Sequence, residues 1–388
     1  MDRTAPSGTH WRGWWYRGVK VLHVIFSLGL GGAERLLTQL LPRMRPLGVD
    51  VAVICVAEDD RLRPSLEEAG VPVEVLGFRG TIYSLGELYR ARGRLRDAIS
   101  RVRPDVVHSH LFLADILAAL ATPRGVALVS TLHSSDPWWL AGGGARARCK
   151  AEACRVAGIV RGVRYIAVSS AAARDAVNLL GVRGSRVRVV HNGIDLSEAA
   201  PDGEEGRRRE SIVQVGRFRE EKGHAVSLVA LRLLREKEAG VELTFVGDGP
   251  LRGEVEKEAE RLGVRDVVRF AGTQDNVWPF LRNAAVFWMP SLWEGMPLAC
   301  IEAMAAGLPV VASDVEGLRE TVGAEAGVLI PVRDAGRLAS VTVELMRDPV
   351  RMRAMGVAGR ERAHRMFSID GTVRRYVEAY ENVLSGVW

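Results

Sequence analysis

The sequence predicts an α/β protein made of two doubly wound parallel-sheet domains facing each other across a cleft. Three observations predict it. The chain has 388 residues, more than one hydrophobic core usually serves, so two domains are the starting expectation. Apolar runs of strand length alternate with amphipathic helical stretches, the pattern of parallel strands buried on both faces. The alternation breaks over residues 199–210, where Pro, Gly, Glu and Arg dominate as in an exposed linker.

Taken in order, the tail 1–18 holds Trp11, Trp14, Trp15 and Tyr16 among Arg12 and Arg17 and reads as a disordered extension, against a contact of its rings with a membrane interface. Residues 19–198 form the first domain. Val21–Phe26 is its first strand and ends in Ser27-Leu-Gly-Leu-Gly-Gly32. Leu36, Leu37, Leu40, Leu41 and Met44 then mark one face of a helix. Val49–Val56, Val71–Leu76, Asp105–Val107, Val126–Leu132, Ile166–Val168 and Val187–Val190 follow as strands, with helices between. Residues 211–368 form the second domain. Its strands are Ile212–Val215, Leu243–Val246, Val267–Phe270, Ala285–Met289 and Pro309–Ala312. Helices are expected near Lys222–Glu236, Leu251–Arg261, Pro297–Ala306, Arg337–Met346, Val350–Met366 and Gly371–Leu384.

Composition is that of an ordinary globular protein, 47% hydrophobic with a net charge of +6. No apolar run reaches the roughly 18–20 residues of a membrane span. The tail is rich in Trp and Arg, not the apolar core of a signal peptide. Cys55, Cys149, Cys154 and Cys300 lack metal-type spacing and suit a reduced, cytoplasmic protein.

The candidate chemistry sits where strands meet helices. Glu294 precedes the Pro297–Ala306 helix and Glu302 lies within it. Between them, the backbone N–H groups near Gly295, Met296, Pro297 and Leu298 form a positive helix end suited to anionic oxygens. Gly216-Arg-Phe-Arg-Glu-Glu-Lys-Gly223 follows a strand and opens a helix, so Arg217 and Lys222 would project at the strand's carboxyl edge and neutralise a diphosphate. On these residues alone, a solvated helix start is the favoured reading. Val246-Gly-Asp-Gly-Pro250 is a further turn. Gly29-Leu-Gly-Gly-Ala-Glu34 superficially suggests a dinucleotide fingerprint but has Glu34 at the third glycine position. Gly31 and Gly32 still permit close backbone approach. His133 ends a strand facing the presumed cleft; His108 and His110 are weaker polar candidates at the end of theirs. No metal-ligand spacing and no nucleophile elbow is visible.

Together these motifs resemble the family-four retaining glycosyltransferases of GT-B fold, over about Val19 to Phe367. The second-domain set carries the resemblance: Gly216-Arg-Phe with Glu221-Lys-Gly, Val246-Gly-Asp-Gly-Pro, and Glu294-Gly-Met-Pro with Glu302-Ala-Met-Ala-x-Gly-x-Pro. Gly31-Gly-Ala-Glu34 and Asn192-Gly-Ile-Asp195 match in the first domain. The resemblance implies two Rossmann-like domains, with the acceptor on the first and a nucleotide-diphosphate sugar donor on the second. It also implies a last helix, residues 369–388, that crosses back to the first domain. It assigns the diphosphate to Arg217 and Lys222, with the Gly31–Gly32 loop closing on it. Glu302 would bind the ribose and Glu294 the sugar hydroxyls, with amides from Gly295 to Leu298 assisting. His133 would meet the donor sugar, and backbone from Thr273 to Val277 the base. No metal or other cofactor is expected.

The acceptor is a glycan or a lipid-linked molecule on this reading, and nucleic acid is not a partner. Ala145–Arg164 and Tyr89–Arg103 are rich in Arg, and such stretches can lie on anionic lipid. An anionic membrane surface on the cytoplasmic side is therefore a candidate partner, against a plain solvated helix face. Two other readings stand beside the transferase: a nucleotide-sugar epimerase on the same fold, and a non-catalytic sugar-nucleotide-binding protein.

Overall fold

The computed structural model describes residues 18–80, 84–133, 152, 156, 158–199, 210–238 and 240–388. The N-terminal extension with its Trp/Arg cluster, most of the linker, most of the 145–164 basic stretch, Cys149 and Cys154 lie outside the described residues.

The first domain contributes β1 (Val19–Ile25), β2 (Val49–Ala57), β3 (Val73–Phe78), β4 (Val106–His110), β5 (Ala127–Leu132), β6 (Arg164–Ala167) and β7 (Val187–Val189). They pair in the order β3-β2-β1-β4-β5-β6-β7, all parallel. The second domain contributes β8 (Ser211–Val215), β9 (Glu242–Val246), β10 (Val268–Phe270), β11 (Val286–Met289), β12 (Val310–Ser313) and β13 (Gly327–Ile330). Their order is β10-β9-β8-β11-β12-β13, again parallel. In each sheet the winding reverses once, between β1 and β4 and between β8 and β11. Ligands of such sheets bind at the carboxyl ends of the strands beside that reversal.

Both faces of both sheets are covered. Leu22, Val24, Ala52 and Ile54 pack under the Leu85–Val102 and Phe112–Ala121 helices, and Ile212, Leu243 and Trp288 pack under His224–Arg235 and Ala335–Met346. The remaining faces merge into one cluster that joins the domains and includes Ile369, Val373, Tyr376 and Tyr380 of the last helix, Ile369–Leu384.

The structure departs from the sequence reading in four places. β13 and the short helices Trp278–Asn283 and Glu316–Val322 were not expected; all three are too brief to show a period. The Lys222–Glu236 helix starts later, at His224, because Gly223 adopts φ +66° and ends a separate one-turn 3-10 segment, Glu220–Lys222. Pro297 is not in the first turn of its helix but caps it from outside, in extended conformation, and the helix runs Leu298–Ala305. His108 and His110 are not cleft groups: β4 runs through His108 and ends at His110, and both are fully buried.

The Asn192-Gly-Ile-Asp195 segment is the crossing point of the chain. The Asn192 side-chain amide donates to Met296 O at 2.8 Å. A Cβ on Gly193 would fall 2.5 Å from Thr372 Oγ1, so only glycine admits the returning chain. Ile194 exchanges backbone hydrogen bonds with Phe367 and Ile369, both at 2.9 Å, and Asp195 pairs with Arg43. Nearby, the Glu320 carboxylate of the second domain accepts from Ser170 N at 2.8 Å, Ser170 Oγ at 2.9 Å and His191 Nε2 at 2.7 Å. It thereby occupies the N-terminus of the Ser170–Leu180 helix, whose dipole favours an anion. The His191 bond and these donors hold its pKa well below the usual carboxylate range against the opposing effect of burial.

Candidate functional site

A cleft of about 1150 Å³ opens between the two sheet reversals. Drug-sized ligand pockets run to about 1,000 Å³, so it can hold a dinucleotide-sized molecule with room beside it. Apart from the weaker candidates His108 and His110, every sequence-predicted site residue lines it: Gly31, Gly32 and His133 from the first domain; Arg217, Lys222, Thr273, Val277, Glu294, Gly295, Met296, Pro297, Leu298 and Glu302 from the second.

Lys222 follows β8 and is held from below. Its carbonyl accepts from Gln214 Nε2 at 2.8 Å, and Ser227 Oγ fixes that buried amide at 2.6 Å. Gly223 makes the turn possible, because a Cβ there would lie 2.1 Å from Pro290 O. Gly223→Ala combines that clash with a left-handed backbone costing about 1–3 kcal/mol. It is expected to lower the thermal midpoint by several degrees and to displace Lys222; an unchanged melting curve contradicts this. The Lys222 ammonium meets Glu294 Oε1 at 2.5 Å, and Ser291 Oγ donates to the same oxygen at 2.8 Å. Glu294 is 8% exposed, so its charge is matched by a cation that also fronts the cleft.

Arg217 is different. It is exposed to the cleft, and among the described residues it makes no hydrogen bond or ion pair. Burial of its head group and the neighbouring Arg219 lower its pKa, and Glu34, across the cleft, counters them. Glu34 folds back over Gly31, where a Cβ would sit 2.1 Å from Oε2. Gly31 therefore serves Glu34, whereas a Cβ on Gly32 would meet no protein atom within 4 Å and leaves that approach to a ligand. The glycines of Val246-Gly-Asp-Gly-Pro250 serve the protein too: Gly247, at φ +140°, packs on Gly216 O and Gly249 on Phe218 backbone.

Glu302 lies in the wall, and burial raises its pKa to about 7, with Arg35 as the opposing influence. Arg35 comes from the first domain and donates to Gln274 O at 2.5 Å. It bridges the cleft at the Thr273–Val277 loop. Sequence reasoning missed Arg35, whose helix position looks like any exposed arginine until the opposite domain is in place. Asp115 was missed as well. It lines the first-domain wall, its Oδ1 accepts from Ser109 Oγ at 2.7 Å and Ser130 Oγ at 2.8 Å, and burial raises it to about 7.

His133 stands directly after β5 and its Nε2 bonds His110 Nδ1 at 3.1 Å. Burial lowers it to about 4, so the ring is neutral. The sequence spacing offered no metal set, but the fold makes a cluster: His23, His108 and His110 present ring nitrogens within 4.8 Å of one another. The reason is register, since β1 and β4 are neighbours and pair His23 with His108 and Ile25 with His110.

Among the described residues no helix is long and apolar enough to cross a membrane. The arrangement as a whole is a two-walled cleft with fixed cations and a helix start on one wall and a glycine loop, a neutral histidine and a buried carboxyl on the other.

Comparison with known proteins agrees with this geometry. Residues 30–198 match the family described as Glycosyltransferase Family 4 and residues 198–362 the family described as Glycosyl transferases group 1. The D-inositol 3-phosphate glycosyltransferase of Thermomonospora curvata is 31% identical over 90% of this chain and 90% of its own. The MMP alpha-(1->4)-mannosyltransferase of Mycolicibacterium hassiacum is 31% identical over 73% of this chain and 72% of its own. Among solved structures, Anabaena HepE in complex with UDP and glucose superposes with a TM-score of 0.82 at 20% identity, covering 94% of this chain and 99% of HepE.

Proposed function

Since the chain belongs to the family-four glycosyltransferases of GT-B fold, we propose that this enzyme moves a sugar from a nucleoside-diphosphate sugar to a glycan or lipid-linked acceptor, with retention and without a metal. The observation that carries the donor assignment is the pair Arg217 and Lys222 at the carboxyl edge of β8, facing the open space at Gly32. HepE, of the same fold, was crystallised with UDP and glucose; a diphosphate bound in this cleft would lie between the two cations and the glycine loop.

The physical course follows. Departure of the nucleoside diphosphate builds negative charge on its terminal phosphate. Arg217, Lys222 and the helix start at Leu298–Ala299 are already placed to stabilise that charge, so no reorganisation is needed when it appears. Glu294, oriented by Ser291, holds sugar hydroxyls. Glu302 accepts from the ribose hydroxyls, beside Arg35. Neither glutamate is assigned as a nucleophile. The acceptor approaches from the first-domain wall, where Asp115 offers a carboxyl to an incoming hydroxyl. Attachment to an anionic membrane surface and a role in polysaccharide or glycolipid synthesis belong to the same proposal.

A thermal-shift screen over uridine, guanosine and adenosine diphosphate sugars tests the donor. A ligand at about 100 times its Kd adds about 2.7 kcal/mol to native stability, a shift of several degrees. No response to any nucleoside diphosphate at millimolar concentration refutes the reading. Product analysis after incubation with donor alone separates transfer from epimerisation. The Glu302 assignment predicts a pH effect. Its carboxyl ionises through about pH 7, and only the anion accepts with both oxygens. Donor KM should therefore fall as pH rises from about 6 to 8, and Glu302→Gln should flatten that dependence. A wild-type profile parallel to that of the variant removes the ribose role.

A further inference from the structure

His133 is the cleft end of a buried hydrogen-bonded chain that begins on the last helix. Tyr376 OH and Thr131 Oγ1 lie 3.3 Å apart. Thr131 Oγ1 is 2.8 Å from His108 Nε2, and His108 Nδ1 is 2.7 Å from Tyr380 OH. Tyr380 OH reaches His23 Nε2 at 3.5 Å. His23 Nδ1 is 2.9 Å from His110 Nε2, and His110 Nδ1 is 3.1 Å from His133 Nε2. Tyr376, Tyr380, His23, His108 and His110 are fully buried and Thr131 nearly so. Burial lowers all four histidines, and their mutual repulsion adds to this at His108 and His110.

In a neutral imidazole one nitrogen donates and the other accepts, so the chain runs in one of two directions; a third arrangement, with Tyr380 accepting from both His108 and His23, leaves the buried Tyr380 O–H without an acceptor. If the protons point away from His133, the chain ends on Tyr376 with its O–H left over, and that hydroxyl has no second partner among the described residues. A buried donor without an acceptor is costly. If the protons point toward His133, Tyr376 donates to Thr131, Thr131 to His108, His108 to Tyr380, Tyr380 to His23, His23 to His110 and His110 to His133. Every donor in the chain is then used.

A metal ion is the competing occupant of the His23, His108 and His110 cluster. Two imidazoles on one tetrahedral zinc at 2.0–2.1 Å stand about 3.3 Å apart. His23 Nδ1 and His110 Nε2 are closer, at 2.9 Å, the separation of two nitrogens sharing a proton.

We propose that this chain fixes His133 in its neutral Nδ1–H tautomer, so that the cleft receives a hydrogen-bond donor for an oxygen of the bound sugar or phosphate, with the hydroxyls of Tyr376 and Thr131 setting the direction from the far end. Tyr376, Tyr380, His23, His108 and His110 are positioning residues; only His133 meets the ligand. The effect on transfer rests on the glycosyltransferase reading, whereas the tautomer does not.

Nitrogen-15 NMR of the full chain labelled at histidine tests it directly, with His133→Gln to assign the cleft ring. The expected spectrum shows His133 and its three neighbours neutral and protonated at Nδ1, the form that free histidine disfavours. His133 protonated at Nε2, a charged ring in the chain, or stoichiometric zinc in the purified protein overturns the proposal. Tyr376→Phe removes only the terminal hydroxyl. Thr131 then becomes the terminal hydroxyl and must still donate to His108, so His133 is expected to stay protonated at Nδ1. A His133 moved to Nε2–H in this variant also overturns the proposal. If the variant does not fold, the wild-type spectrum decides. If no donor is turned over, the glycosyltransferase reading fails while the spectrum still judges the chain.

Discussion

Lys222→Ala lowers kcat/KM for the sugar donor by about 10²–10³-fold, the loss typical of one preorganised group at a developing oxyanion. The same change acts on the fold. Glu294 keeps Ser291 but loses the ammonium 2.5 Å from its Oε1. Removing one member of a buried pair costs about 3–5 kcal/mol; about 1–3 kcal/mol is expected here, because the Lys222 side chain remains 20% exposed. The variant therefore loses both donor affinity and several degrees of thermal midpoint. Calorimetry with a nucleoside diphosphate and a melting curve check the two halves separately. Wild-type affinity in the variant removes Lys222 from the phosphate site.

Arg217→Ala has a loss of kcat/KM of the same order, about 10²–10³-fold, with no cost to the fold. Among the described residues its guanidinium makes no hydrogen bond or ion pair, and it faces open cleft, so nothing is left unpaired when it goes. Its influence on the fold is limited to attraction toward Glu34 and Glu221 and repulsion from Arg219 and Arg61. The melting curve should match wild type while turnover collapses. Arg217→Lys recovers part of the rate, since a point charge replaces the two-pronged donor. Because both cations act on one phosphate, the double variant should lose much less than the product of the single losses. Full activity in Arg217→Ala overturns the site.

Much of this was legible in the chain because it was local. Strands such as Val49–Ala57 are apolar runs, broken there only by Asp50, and helices such as Ile369–Leu384 carry a clear face. The glycine loop and the Gly216–Gly223 turn declare themselves by composition. The remainder depends on partners distant in sequence. Arg35 acquires meaning only from Gln274 O, 239 positions away. His23 and His110 meet because two parallel strands share a register, a relation with no signature at a spacing of 87 residues. Gly31 resembled a ligand-facing glycine, and the structure shows that its own Glu34 needs the space. The start of the Lys222 helix was misjudged because Gly223 looks the same in sequence whether or not it leaves the right-handed region.

The last helix has a consequence for the order in which the chain becomes complete. A ribosome releases the first domain's strands long before residues 369–384. Domains made first usually fold first. Here the earlier domain still lacks Tyr376, Tyr380 and the apolar side of that helix, which close its core against His108 and Thr131. During synthesis the part of its sheet around His108 and Thr131 waits uncovered while the whole second domain is made. A helix translated after the whole second domain is thus the one that seals the first, and a nascent chain arrested shortly before residue 369 would carry a wet, open histidine cluster that the folded protein does not show.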